Sequence, residues 1–276
     1  MKNFKRILAL ALVAAFLPLA ALANKNIREI STFSESMQKQ IPATVVLPDS
    51  YDKKKSKKYP VVYLLHGYGG NFKDWSTIKK DLQERASQAN VIIVCPDGQN
   101  SWYWDSPIDP SFKFETYVSK ELVEHIDENF RTVKDKKGRA ITGLSMGGHG
   151  AMWLAIRHND VFGAGGSMSG GLDIRPFPNE WNMKDRLGEY EKNKELWDKH
   201  TVINEIEKLH PEDLAIIIDC GYDDFFYKVN LDTHAKLLEM KIPHDFIIRP
   251  GGHDWNYWNN AVDFQLLFFK KFFDRN

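Results

Sequence analysis

Ser145 lies in a pattern that could turn a serine hydroxyl into a nucleophile, Gly143-x-Ser145-x-Gly147. In such a nucleophile elbow the serine occupies a tight turn between a strand and a helix, and the glycines leave space where a Cβ would clash. The context agrees, because residues 139–142 have the pattern of a short strand and residues 150–156 that of an apolar helix. The sequence therefore predicts that Ser145 is held at a sharp turn, where it could attack a carbonyl carbon.

A serine hydroxyl is a weak nucleophile at neutral pH, so it needs an imidazole base and a carboxylate that orients the imidazole. His253 is the expected base, since it lies in a glycine-flanked loop after the last predicted strand, residues 244–250. The acid is Asp223 or Asp224, which follow the predicted strand 214–220. Adjacent side chains point in different directions, and the aspartate that is not the acid would be a turn or helix-capping residue.

The same polar residues could also be considered as metal ligands. Asp223, Asp224, His253 and Asp254 lack the close His, Cys and Glu spacing of a dedicated metal site. We therefore expect neither a metal nor any other cofactor.

Attack on a carbonyl also requires hydrogen-bond donors for the negative charge that develops on its oxygen. The backbone N–H of the residue after the nucleophile, here Met146, is one expected donor. The second should come from the loop after an early strand. Residues 66–70 (His-Gly-Tyr-Gly-Gly), which we call the glycine loop, follow the predicted strand 60–65. Within this loop we expect the Tyr68 N–H to be the donor, whereas His66 is expected to be a structural hydrogen-bonding residue.

Buried strands alternate with helices along the chain. Continuous apolar runs at 60–65, 91–95 and 214–220 are typical of strands covered on both faces. Helical periodicity spans residues 112–130. This alternation predicts an α/β fold with a mostly parallel central sheet and helices on both faces. In such sheets ligands bind beyond the carboxyl ends of the strands, where Ser145 and the polar residues above are expected to lie.

The 276 residues divide into a short N-terminal segment and one predicted domain. Residues 1–23 have a basic start, an apolar run of 11 residues and a small-x-small ending at Ala23, the pattern of a secretory signal peptide. A membrane anchor is the alternative, but the run is shorter than the roughly 20 residues that span a bilayer. We therefore expect cleavage near Ala23, export to the periplasm or the medium, and no stable membrane insertion. Residues 24–276 are expected to form a single domain, with 171–213 as a mixed insertion over the active-site side.

Charge and cysteine content bear on partners and on cross-links. The chain has 37 basic and 37 acidic side chains, and loss of the three basic residues in the signal peptide leaves a formal net charge of −3. This balance gives no support for a nucleic-acid partner. Cys95 and Cys220 each end an apolar run, and two buried thiols are favoured over the disulfide that export would permit. The sequence does not indicate an oligomeric state.

Taken together, these motifs resemble the esterase D-like family of α/β-hydrolases over roughly residues 27–273. The family includes S-formylglutathione hydrolases, feruloyl and acetylxylan esterases, tributyrin esterases and mycolyltransferases. The segments that carry the resemblance are 64–70, 96–98, 143–148, 220–225 and 252–258.

The resemblance implies an α/β-hydrolase fold and a serine esterase that uses no cofactor. In this family the acid lies three residues after the glycine of the Cys-Gly turn, which implies Asp224, and the second oxyanion donor falls on Tyr68. The export signal argues against the cytosolic S-formylglutathione hydrolases. The implied activity is therefore that of an exported serine carboxylesterase for short-chain acyl or hydroxycinnamoyl esters, including small-molecule esters and esters on plant cell-wall carbohydrate.

Three other functions remain as alternatives. An acyltransferase would use the same triad, and an S-formylglutathione hydrolase-like thioesterase would share the fold. A non-catalytic carbohydrate-binding protein is disfavoured, because the sequence retains every residue that the triad requires.

Three tryptophans are candidate substrate-binding residues. Trp102 and Trp104 follow the loop after the predicted strand 91–95, at the edge of the sheet where the catalytic residues are expected, and Trp181 lies in the insertion. Aromatic rings at these positions could stack on a sugar or an aryl acyl group, or they could pack beneath the insertion. The sequence leaves both interpretations open.

Overall fold

Eight strands form one sheet in the part of the chain that the computed structural model describes, residues 25–276. The predicted signal peptide, residues 1–23, lies outside the described residues. The strands are β1 (Ile27–Ser34), β2 (Lys39–Val46), β3 (Val61–Leu65), β4 (Ile92–Pro96), β5 (Arg139–Gly143), β6 (Ala164–Met168), β7 (Ala215–Gly221) and β8 (His244–Arg249). Across the sheet their order is β1-β2-β4-β3-β5-β6-β7-β8.

The pairing confirms the predicted α/β class with a mostly parallel sheet. Strands β3 to β8 pair in parallel, whereas β2 pairs antiparallel with both β1 and β4. The apolar runs predicted as buried strands correspond to β3, β4 and β7, and every residue of β3 and β4 is buried.

Helices connect the strands and cover the sheet. Their bounds are α1 (Asp74–Ile78), α2 (Leu82–Ala89), α3 (Phe114–Thr116), α4 (Leu122–Asn129), α5 (Met146–Arg157), α6 (Lys184–Leu187), α7 (Lys194–Lys199), α8 (Val202–Glu205), α9 (Tyr227–Glu239) and α10 (Trp255–Arg275). A π-helical turn, Tyr117–Glu121, joins α3 to α4, so these three segments together fill the helical pattern predicted at 112–130. Short 3-10 turns lie at Lys136–Gly138, Tyr190–Lys192 and Ile206–Lys208.

Apolar side chains pack on both faces of the sheet, because successive residues of a strand point to opposite sides. In β3, Val61, Tyr63 and Leu65 belong to one apolar cluster, which also contains buried residues of α4, α5 and α9. Val62 and Leu64 belong to the second cluster, which contains buried residues of α2 and α10. Burial on both faces explains why the inner strands are apolar without alternation.

The strand order reverses beside β3, and this reversal positions the site. From β3 the chain crosses to β4 on one side and then returns to β5 on the other side of β3. In open parallel sheets a crevice forms at such a switch, outside the carboxyl ends of the strands. The glycine loop follows β3 and Ser145 follows β5, so both lie at the switch.

The segment between β6 and β7 contains α6, α7 and α8 together with two 3-10 turns, and it includes the predicted insertion at 171–213. Its Leu187 and Trp197 are buried in the same cluster as the residues of α5. Within residues 25–276, no helix combines the length and the apolar character needed to cross a membrane. Cys95 and Cys220 are both buried and free.

Candidate active site

Ser145 occupies a strained turn between β5 and α5, with φ of 55° and ψ of −118°. The two glycines of the pattern allow this turn because they have no Cβ atom, which would clash with the closely packed backbone. A Cβ on Gly147 would lie 2.5 Å from the carbonyl oxygen of His66, and a Cβ on Gly143 would lie 2.6 Å from the carbonyl of Gly147. The Ser145 N–H donates to the carbonyl of Met168 at the end of β6 (2.9 Å), which fixes the turn against the neighbouring strand. The hydroxyl is thereby held at the carboxyl edge of the sheet, as a nucleophile elbow requires.

His253 lies between the hydroxyl of Ser145 and the carboxylate of Asp224. Its Nε2 is 2.8 Å from Ser145 Oγ, and its Nδ1 is 2.9 Å from Asp224 Oδ2 and 3.1 Å from Oδ1. An ionised carboxylate only accepts hydrogen bonds, so these distances fit the imidazole tautomer that has its proton on Nδ1 and an Nε2 free to accept from the serine hydroxyl. This arrangement has the geometry that a serine nucleophile, an imidazole base and an orienting carboxylate require.

The two loops that carry His253 and Asp224 are joined by backbone contacts. The Asp223 N–H donates to the Gly251 carbonyl (3.1 Å). The loops approach so closely that a Cβ on Gly221 would lie 2.1 Å from that same carbonyl oxygen. Gly251 has φ of 138°, a backbone conformation that residues other than glycine rarely adopt. Glycines at both positions therefore allow the loops that carry Asp224 and His253 to meet.

The adjacent aspartates have different surroundings. Asp224 is buried, and its Oδ1 also accepts from the Phe226 N–H (2.8 Å), whereas Asp223 is exposed. Asp254 caps the start of α10 by accepting from the Tyr257 N–H (3.0 Å). Among residues 25–276, no group of three or more His, Cys, Asp and Glu residues is arranged to hold a metal ion.

The glycine loop contributes the Tyr68 amide to the same edge. His66 is buried and acts within the loop as a hydrogen-bonding residue: its Nε2 accepts from the Gly98 N–H (2.8 Å), and its Nδ1 lies 2.7 Å from the Gly67 carbonyl. Met146 is the first residue of α5, where helix N–H groups have no partner within the helix. Neither the Tyr68 nor the Met146 N–H donates a hydrogen bond to another residue in the described part of the chain. Both amides are thus available as donors, and Tyr68 lines the same cleft as Ser145.

A cleft of about 410 Å³ opens above Ser145 and His253. The glycine loop forms part of its lining, and Leu144 and Asp74 add an apolar and an acidic residue. Its other walls are aromatic and comprise Trp181, Phe225, Trp255 and Trp258. The ring of Phe225 lies 4.2 Å from the His253 ring and stacks on Trp181 with a centroid distance of 5.6 Å. The cleft can therefore hold a small ester against aromatic surfaces.

Of the three candidate tryptophans, Trp181 lines the cleft, but Trp102 and Trp104 do not. Both are essentially fully buried, and their rings stack on one another at 5.7 Å. Each also packs against the edge of the buried His149 ring, at 5.2 and 5.1 Å. Of the two interpretations that the sequence left open, burial favours packing over contact with substrate: the Trp102 ring lies between His149 of α5 and Trp181, and the Trp104 ring lies between His149 and His200.

His149 remains neutral within this aromatic cluster. Burial lowers the pKa of His149 to about 3, and a hydrogen bond to the Gly171 carbonyl (2.9 Å) offsets only part of that effect. A neutral ring is compatible with the surrounding tryptophans, which offer no compensating charge.

Several residues of the cleft had no assigned role in the sequence. Phe225 directly follows Asp224, and Trp255 and Trp258 lie in the first turn of α10 beside His253, so adjacency to the expected catalytic residues was the available signal. Asn100 and Asn182 contact the glycine loop from remote parts of the chain, and no sequence pattern marked them.

Comparison with known proteins places these features in a family. The model of the Esterase family matches residues 34–269, which is most of the chain. The chain belongs to the Esterase family. Its relatives include an acetyl esterase of Caldicellulosiruptor saccharolyticus, 27% identical over 256 residues that cover 86% of this chain and 95% of the relative.

Comparison with solved structures supports the same family and the same fold. A ferulic acid esterase aligns with a TM-score of 0.78 at 30% identity, covering 90% of this chain and 98% of that one. An S-formylglutathione hydrolase of Staphylococcus aureus also has a TM-score of 0.78, but at 22% identity it shows a shared fold only; the alignment covers 88% of this chain and 98% of that one. These comparisons confirm the resemblance and the α/β-hydrolase fold, and they identify this Esterase-family protein as a carboxylic ester hydrolase.

Proposed function

We propose that the protein is an exported serine carboxylesterase that works through an acyl-enzyme on Ser145. The observation that carries the proposal is the position of His253, within 2.8 Å of the Ser145 hydroxyl on one side and 2.9 Å of the buried Asp224 carboxylate on the other. Export is supported by the signal-peptide pattern of residues 1–23.

In the acylation step, Ser145 Oγ attacks the ester carbonyl while its proton passes to His253 Nε2. Asp224 stabilises the imidazolium that forms and keeps the imidazole in the required tautomer. The carbonyl oxygen becomes an oxyanion, which the Tyr68 and Met146 amides stabilise at the start of α5. When the tetrahedral intermediate collapses, the imidazolium returns its proton to the departing alkoxide, so the alcohol leaves as a neutral molecule.

Deacylation repeats the same steps with water as the nucleophile. His253 takes a proton from a water molecule at the position the alcohol has left, and the hydroxide attacks the acyl carbonyl on Ser145. The second intermediate collapses by returning the proton to Ser145 Oγ. Neither a metal nor a cofactor takes part in this cycle.

The substrates we propose are short-chain acyl or hydroxycinnamoyl esters, including those on plant cell-wall carbohydrate. A cleft of about 410 Å³ suits a small acyl group, and its aromatic walls suit an aryl ring. Two similar proteins, an acetyl esterase and a ferulic acid esterase, support the same two acyl classes.

A hydrolysis profile of the purified protein tests this proposal. The profile compares p-nitrophenyl acetate, butyrate and octanoate with methyl ferulate and acetylated xylan, beside a Ser145→Ala control. We expect turnover of the acetate, the butyrate or the ferulate, and a loss of about 10⁶-fold in kcat in Ser145→Ala, since triad residues act as a unit.

Other outcomes would overturn parts of the proposal. Turnover that persists in Ser145→Ala would refute the acyl-enzyme mechanism. Serine-dependent release of alcohol with transfer of the acyl group to an added sugar would replace the hydrolase with an acyltransferase. Absence of turnover on all five esters would remove the substrate proposal.

A further inference from the structure

The turn at Trp181 and Asn182 touches both sides of the cleft. On one side the Trp181 ring stacks on Phe225, whose ring lies against His253. On the other side the Asn182 side-chain amide donates to the phenol oxygen of Tyr68 at 3.0 Å. Both residues of the turn have positive φ, 47° and 51°, a conformation that is a genuine outlier for a bulky residue such as tryptophan. The insertion therefore reaches across the cleft to the residue that carries the second expected oxyanion donor.

Tyr68 has little backbone restraint of its own. It stands between Gly67 and Gly69, and Gly69 has φ of 74°. Glycine is the residue with the widest choice of backbone conformations, so two flanking glycines leave the direction of the Tyr68 N–H weakly determined by the chain.

Hydrogen bonds within the loop and from outside it supply the missing restraint. The Asn100 side-chain carbonyl accepts from the Gly69 N–H at 2.8 Å, which fixes the loop on its far side. The Gly70 N–H donates to the Gly67 carbonyl at 3.1 Å, which closes the turn. Both contacts act on the glycines. The side chain of Tyr68 itself packs against the apolar cluster that contains the residues of α5, and its phenol oxygen accepts from the Asn182 side-chain amide.

We propose that Asn182 is a positioning residue: by holding the Tyr68 phenol, it directs the Tyr68 N–H toward the oxyanion. The inference rests on the proposed function, because it assigns a use to the oxyanion donor. A donor must lie within about 2.7–3.1 Å of the position that the oxyanion reaches, so small displacements of the loop weaken transition-state stabilisation. Asn182 itself needs no contact with substrate, and its removal should therefore lower kcat while leaving KM nearly unchanged.

A double-mutant cycle tests this role. Tyr68→Phe removes the phenol oxygen, and Asn182→Gly removes the amide while allowing the positive φ of the turn. We expect each variant to lower kcat about fivefold, the effect of losing one neutral hydrogen bond, and the double variant to lose no more than either single one. Asn182→Asp should retain nearly full activity, because its carboxylate can accept from the Tyr68 hydroxyl and rebuild the contact.

Asn179→Ala is the matched control, since Asn179 is exposed in the same insertion; we expect its kcat to match that of the wild-type protein. Losses in the two single variants that multiply in the double variant would overturn the inference, as would a change confined to KM. A fivefold loss in Asn182→Asp would also contradict it. These failures are distinct from a failure of the proposed function, which would appear as activity that survives Ser145→Ala.

Discussion

Asp224→Asn is the substitution that most sharply tests the proposed role of the buried carboxylate. Asp224 accepts from His253 Nδ1 through both oxygens, at 2.9 and 3.1 Å, and its side chain is fully buried. In the proposed acylation step the imidazole becomes an imidazolium, and the carboxylate then faces a full positive charge. Asparagine keeps the volume and the hydrogen bond from the Phe226 N–H but removes the negative charge.

The size of the loss follows from this geometry. Two unit charges about 4 Å apart at an effective dielectric constant of about 20 attract by about 4 kcal/mol. That energy is gained only when the imidazolium forms, so its loss should lower kcat by about 10³-fold at 1.36 kcal/mol per factor of ten. The asparagine NH₂ group would also favour the tautomer with its proton on Nε2, which cannot accept from Ser145, and we therefore expect a total loss of about 10³- to 10⁴-fold.

Asp223→Asn provides the matched control, because this neighbouring carboxylate is exposed. Removal of an exposed charge should change kcat by no more than about twofold. The assay is p-nitrophenyl acetate hydrolysis under saturating substrate, with thermal unfolding of each variant to show that the fold is retained. A larger loss in Asp223→Asn than in Asp224→Asn, or a loss below about tenfold in Asp224→Asn, would refute the reasoning.

The remaining predictions concern the tryptophans and His149. Trp104→Ala should lower the free energy of unfolding by about 3–5 kcal/mol, since the ring is fully buried. Trp181→Ala should cost less stability but lower kcat/KM for methyl ferulate about tenfold relative to p-nitrophenyl acetate; equal effects on both esters would contradict this. Below pH 6.5, His149 binds a proton in the unfolded protein but not in the folded one, because burial lowers its folded-state pKa to about 3. As the pH is lowered from about 6.5 to 3, the free energy of unfolding should therefore fall by up to about 1.4 kcal/mol per pH unit. His149→Asn, measured by urea unfolding across that range, should remove this contribution, and an unchanged slope would count against it.

The parts of the fold that the sequence predicted are those that local constraints determine. β3, β4 and β7 are buried on both faces, so their sequences contain uninterrupted apolar runs. The turn at Ser145 could be located because close backbone packing at Gly143 and Gly147 excludes any Cβ. Polar residues after strand ends could be placed at one edge because parallel strands share that edge.

The sequence did not predict how deeply individual side chains are buried or which residues far apart in the chain are in contact. Trp102 and Trp104 follow a strand end as cleft residues would, but whether their rings face solvent or α5 depends on how the insertion folds over them. The choice between Asp223 and Asp224 depends on where the loop that carries His253 meets them, and the family resemblance, rather than spacing, favoured Asp224. The bond from Asn182 to Tyr68 joins residues 114 positions apart, and no local pattern encodes such a pair.

The most direct measurement of the central claim is the identification of the acyl-enzyme. The protein is mixed with p-nitrophenyl acetate, quenched with acid during the first turnovers, digested and analysed by peptide mass spectrometry, with Ser145→Ala treated in the same way. We predict an acetyl group on Ser145, formed together with the first equivalent of p-nitrophenol and absent from the variant. Acetylation confined to another residue, or turnover in Ser145→Ala at the wild-type rate, would contradict the assignment of Ser145 as the nucleophile.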